Sequence, residues 1–181
     1  MTTEETISML KREFFARRNG VVADVLRRAG DPHDYIMGCQ LADLLQVTAA
    51  MSCDAALAEC LWRDVRHREC RLAAILLHPK GEMTSGTALR WANAVVSHEE
   101  ADVLCHRQLR HCTCAPTLWR NLLNNATHEL TQYTALRLLQ GLLAINAEHD
   151  REDALNTLNN CQPPFPSTKA LLQELKADLA S

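Results

Sequence analysis

Residues 130–144 read LTQYTALRLLQGLLA. Leu136, Leu139 and Leu142 recur three apart, and Leu139 and Leu143 four apart, which lines them along one face of an α-helix. A half-buried strand would instead alternate apolar and polar side chains. The same Leu- and Ala-rich text recurs on either side. Both residues favour helix intrinsically, whereas strands draw on β-branched and aromatic residues, and aromatics make up only 4% here. Six glycines and six prolines are few for a sheet protein with many tight turns. The fold class expected is all-α.

Working outward, Thr2 or Thr3 can cap an opening helix that reaches Arg18, with Glu4 and Glu5 in its positive first turn. Asn19-Gly20 reads as its stop. A short helix over 21–29 ends at Gly30-Asp31-Pro32, and the next is expected over 33–51. Ser52 with Asp54 opens a helix carrying Leu57, Leu61 and Trp62, followed by one over 66–77. Thr84 or Ser85 caps 87–96. Ser97-His98-Glu99-Glu100 has the form of a capping box for a helix reaching His111. Pro116 suits the first turn of a helix ending near Asn125. After 130–144 come a helix over 150–160, a proline-rich break over 161–166, and a last helix over 168–179 capped by Ser167.

Helices of this length joined by short breaks predict one domain over 1–181, an α-α superhelix of stacked antiparallel pairs. Leu61-Trp62-Arg63 and Leu118-Trp119-Arg120 each precede an Ala/Leu-rich helix. Internal duplication and coincidence both remain open.

Bulk chemistry narrows the function. Hydrophobic residues make up 47% of 181, enough for a packed core. The net charge of −3 weighs against binding nucleic acid by phosphate neutralisation alone, without excluding a local basic face. The polar start and the absence of a long apolar run predict a chain with no membrane span, placed in the cytoplasm. The eight cysteines, mostly inside helical text, are then expected as reduced core thiols.

Cys105, His106, His111, Cys112 and Cys114 form the densest group of reactive types. Their spacing is not a usual zinc pattern, so buried thiols with exposed imidazoles is the simpler reading; no metal and no cofactor are expected. A thiolate nucleophile would need an activating neighbour that spacing does not reveal. Phosphate-cradling glycine loops and the common hydrolase motifs are absent. Arg66, His67, Arg68 and Arg71 open a helix, where cations are disfavoured, so they should face an anion or an acidic neighbour; Arg63 and Arg107 could extend that surface. Asp102 could cap backbone amides or point into a groove. Trp62, Trp91 and Trp119 have apolar neighbours and read individually as core anchors.

From Leu61-Trp62 onward the chain resembles the HEAT-like-repeat DNA alkylation repair family, the AlkD-like glycosylases. The matching text is Leu61-Trp62, then Arg68 to Ala74, then Ser97 to Asp102, then Trp119, then Gln132-Tyr133-Thr134-Ala135-Leu136. Their order carries the resemblance; no single motif is specific. Arg18-Asn19-Gly20-Val21 also looks like the family's opening helices. The resemblance implies a HEAT/armadillo-like superhelix with a basic concave groove for DNA. It also implies release of positively charged alkylated purines, with an aspartate stabilising the sugar cation and aromatic faces holding the base.

Asp102 aligns with that aspartate and Trp119 with one aromatic. Trp62, Arg66, Arg68, Arg71, His98, Arg107, Trp119 and Tyr133 become candidate groove residues. His98 stands where the family has an aromatic, and Tyr133 where it has a groove arginine. With half the site altered, the expectation is a helical-repeat protein binding DNA, another nucleic acid or a protein, with glycosylase activity reduced or absent. An active alkylpurine glycosylase and a non-enzymatic protein scaffold are the alternatives.

Overall fold

The computed structural model of the chain describes residues 2–145 and 151–180. Among them every regular element but one isolated bridge is helical, so the protein is all-α, and no helix is long and apolar enough to cross a membrane. The chain, expected as a single domain, clusters into two compact units, Met1–Pro79 and Lys80–Ser181.

The first unit holds α1 (Thr3–Ala16), α2 (Gly20–Arg28), α3 (Leu41–Ala49), α4 (Ala55–Trp62) and α5 (Arg68–Leu77). Thr2 and Glu5 make a reciprocal capping box at the start of α1. The Asp54 carboxylate takes the amides of Ala56 and Leu57 at the start of α4. The Asp54 amide donates to Leu77 O, so α4 begins where α5 ends and the two run antiparallel.

Two expectations fail here, for identifiable reasons. Asn19 does not end α1 in a left-handed turn; it has φ −126° and caps α2, its side chain accepting from Val22 N. The helix expected over 33–51 begins only at Leu41. Gly38 breaks it: φ is +76°, and a Cβ there would sit 2.2 Å from Asn19 O. Residues ahead of Leu41 instead form an extended strap, with Tyr35 bridged to His67. The strap's backbone is satisfied by side chains rather than by a helix of its own. The Glu69 carboxylate accepts from the amides of Met37, Gly38 and Cys39, and Arg68 donates to Cys39 O.

The second unit holds α6 (Ser85–Asn93), α7 (His98–Arg107), a 3-10 turn (Leu109–His111), α8 (Ala115–Asn124), α9 (Glu129–Ile145), α10 (Arg151–Asn160), a 3-10 turn (Pro166–Thr168) and α11 (Lys169–Ala180). Asp150, part of the expected tenth helix, lies outside the described residues. Thr84 and Ser97 cap α6 and α7 as expected, though Glu100 reaches the Val96 amide rather than that of Ser97. Ser167 caps nothing and donates to Glu129.

In this unit α8 packs on both α6 and α9, and α7 packs on α9. His98 meets Tyr133 and Asp102 meets Arg137, the same offset of 35 residues both times, so α7 and α9 run parallel with α8 between them in sequence. Trp91, Trp119, Leu104, Leu109 and Leu136 fill the core, each essentially inaccessible.

Candidate functional site

The parallel register of α7 and α9 sets two helical ladders against each other. On α7, His98 and Asp102 are four apart; on α9, Tyr133 and Arg137 are four apart. Residues at that spacing share a helix face, so all four side chains converge. Asp102 is the fifth residue of α7, too far along to reach the free amides of the first turn, and Ser97 already caps them. Its carboxylate points outward, with the side chain 39% exposed.

Asp102 Oδ1 takes two donors: Arg137 Nε at 2.6 Å and the Tyr133 hydroxyl at 3.0 Å. Its Oδ2 has no hydrogen-bond partner among the described residues. Arg137 also reaches Gln140 Oε1. The exposed His98 ring stands edge-on to Tyr133, with centroids 4.5 Å apart and planes at 87°. Burial first, then the charge and hydrogen bond of Asp102, push the Tyr133 phenol up to about 12, so it stays a donor at neutral pH. The Arg137 guanidinium loses solvation but is held protonated more firmly by Asp102.

This is an oriented carboxylate with one oxygen fixed and one open. It can accept from a ligand N–H or O–H, or sit against a positive centre. Its field is partly cancelled by the Arg137 charge on the other oxygen, which limits how far it could stabilise a sugar cation.

Basic residues flank the site in the second unit. Arg107 on α7 is half-buried, and Arg110 lies between His106 and His111. Lys80 bears electrostatically on both imidazoles and Arg137 on His106. Among the described residues, Lys80, Arg107 and Arg110 pair with no carboxylate.

Several expected groove residues are placed elsewhere. Trp119 is fully buried, with Arg120 stacked 4.5 Å from its ring centroid, so neither of its faces can take a base. In the first unit Trp62 is 2% exposed and lies under the Arg71 guanidinium at 3.3 Å. Arg71 donates to Trp62 O and is itself buried. Arg68 is buried against Glu69 at 2.8 Å, the acidic neighbour its position called for. Arg66 is exposed, pairs with Asp34 at 2.7 Å and donates to the Tyr35 hydroxyl. These arginines therefore hold the first unit together. Only His98, Asp102 and Tyr133 of the expected set come together, with Arg107 nearby in sequence on the same helix.

Two participants were missed. Arg137 supplies the guanidinium that the resemblance placed at Tyr133, one helical turn further on; its i, i+4 spacing from Tyr133 was the available signal. Arg110 was also passed over. The thiols nearest it in sequence, Cys105 and Cys112, are buried and engaged. Cys105 donates to Thr134 O and Cys112 to Gln108 O. Burial pushes the Cys112 thiol up to about 11 and the Cys70 thiol to about 12, which is unsuited to a thiolate nucleophile. The expectation of core thiols holds for Cys39, Cys70, Cys105 and Cys112, but Cys53 and Cys60 are exposed.

No protein-family model matches the chain, nor does any curated protein or solved structure.

Proposed function

We propose that the α7–α9 face of the second unit binds nucleic acid, in a protein built on the HEAT-like superhelical plan of the AlkD-like family, with glycosylase activity reduced or lost. The observation that carries this reading is the outward Asp102 carboxylate. One oxygen is open, and three cations that pair with no carboxylate among the described residues belong to the same unit: Arg107 at the end of α7, Arg110 in the 3-10 turn after it, and Lys80 ahead of α6. Lys80, Arg107 and Arg110 give the chain a local basic face despite its net charge of −3. The packing of α6 on α8 and of α7 on α9 is what stacked helix pairs of that plan require.

Two features argue for weakened base excision. Arg137 offsets the charge of Asp102, and the aromatic expected to hold a cationic base, Trp119, is in the core. Incubation with methylated duplex DNA tests both parts. Binding is expected with release of methylpurine no faster than in an Asp102→Asn variant; release that depends on Asp102 would establish the active glycosylase instead.

A protein-interaction scaffold draws support from a different place. Phe15, Val21 and Val25 on α1 and α2 are 55%, 75% and 58% exposed. Failure to bind any nucleic acid would favour that alternative.

A further inference from the structure

Arg110 sits at the centre of a small cluster beside the Asp102 site. Its Nε donates to His111 Nε2 at 3.2 Å, and its Nη2 lies 3.3 Å from His106 Nε2. A guanidinium carries only donors. Both Nε2 atoms must therefore be acceptors, which leaves each ring proton on Nδ1 and both imidazoles neutral. The Arg110 side chain lies across α9 at Gly141, where a Cβ would come within 3.6 Å of its Cδ.

The charged groups around the two rings are cations from every side. His106 is faced by Arg107 from the end of α7, Arg110 from the 3-10 turn, Arg137 from α9 and Lys80 from the segment ahead of α6, and His111 by Lys80, Arg110 and the His106 ring. Partial burial and the neighbouring cations, Lys80 and Arg110 for both rings and also Arg107 and Arg137 for His106, hold both imidazoles below the ordinary histidine range. His106 is exposed and His111 half-exposed, so an incoming anion can reach both.

We propose that the His106–Arg110–His111 cluster is a phosphodiester-binding surface that takes up protons as it docks, and that its partner is the backbone of a nucleic acid. A phosphate oxygen arriving at Arg110 replaces the imidazole nitrogens as acceptor. Each imidazole freed in this way takes a proton from solvent at Nε2 and becomes a donor to the same anion. Binding and protonation therefore reinforce each other. Arg137 and the Arg110 contact at Gly141 lie one turn apart on α9, so the cations form a row along parallel helices. A row suits successive phosphates better than a single free ion. The inference rests on the nucleic-acid reading above and adds to it a pH dependence located in two named residues.

The test is fluorescence anisotropy of a labelled, unmethylated DNA duplex at constant ionic strength. Between about pH 7.5 and about pH 5.5, affinity should rise by about tenfold or more, since each proton taken up contributes as much as tenfold per pH unit. In a His106→Gln/His111→Gln double variant the rise should shrink to about twofold or less, because glutamine still accepts from Arg110 but cannot titrate. Binding that ignores pH, or an unchanged rise in the double variant, overturns the proposal and leaves the nucleic-acid reading standing. No DNA binding at any pH overturns both. NMR of the two imidazoles with inorganic phosphate separates the sources: a response to DNA alone supports the backbone, whereas an equal response to free phosphate overturns it as the partner.

Discussion

Replacing Glu69 with glutamine removes the buried carboxylate bonded to Arg68, and its cost follows from the contacts that charge makes. Glu69 is 2% exposed and Arg68 3%, with Nη1 to Oε1 at 2.8 Å. The same carboxylate accepts from Gly38 N at 3.0 Å, Cys39 N at 3.3 Å and Met37 N at 3.2 Å. Glutamine keeps one oxygen for part of this set. Its NH2 cannot accept, so at least one strap amide loses its partner, and Arg68 loses the carboxylate it bonds at 2.8 Å. Breaking a buried pair from one side costs about 3–5 kcal/mol. Against a total of about 5–15 kcal/mol for a typical domain, that is a large fraction. Urea unfolding followed by far-ultraviolet circular dichroism should show it as a lower midpoint. Glu69→Gln/Arg68→Met removes both charges and should recover much of the loss, because the buried guanidinium is removed together with the carboxylate it bonded. A loss below about 1 kcal/mol in the single variant would refute the reasoning, since breaking a buried ion pair from one side costs more than that. So would a double variant no more stable than the single one.

Two further outcomes are expected from the second unit. Gly141→Ala should stabilise by as much as about 1 kcal/mol and raise the melting temperature, because glycine is costly inside a helix and the new methyl would meet Arg110 only at ordinary contact distances. A lower melting temperature would mean that Arg110 needs the space more than α9 needs the propensity. Asp102→Asn should bring the Tyr133 phenol down from about 12 towards, but not to, its ordinary value of 10.0. The substitution removes the carboxylate's charge and leaves the larger contribution, burial, in place. Ultraviolet titration of tyrosinate absorbance reads this directly, and an unmoved phenol would show that the Tyr133–Asp102 bond does not form in solution.

Local chemistry was legible along the chain. Periodicity placed α9 to within a residue at each end, and Asp54, Thr84 and Ser97 announced the helices they cap, since a cap acts on amides two or three residues away. Sequence went astray where a distant group decided the outcome. Asn19-Gly20 has the composition of a helix stop, yet Asn19 N donates to Met37 O and its side chain caps α2. Residues 33–40 have helical composition, yet Glu69 and Arg68 bind their backbone in extended form. Neither interaction leaves a mark within its own window of sequence.

Sequence by itself thus determined the all-α class, most helix boundaries, and Asp102, His98 and Tyr133 as candidates. Tertiary structure alone decided which candidates meet. The Arg137–Asp102 contact spans 35 residues and exists only because α7 and α9 stack in parallel. Packing within the first unit buries Trp62, Arg68 and Arg71, and packing within the second buries Trp119, all four of which the family resemblance offered as groove residues. Burial is the physical reason. A side chain's type sets what chemistry it could perform, and the neighbours that cover or expose it set whether a ligand can reach it.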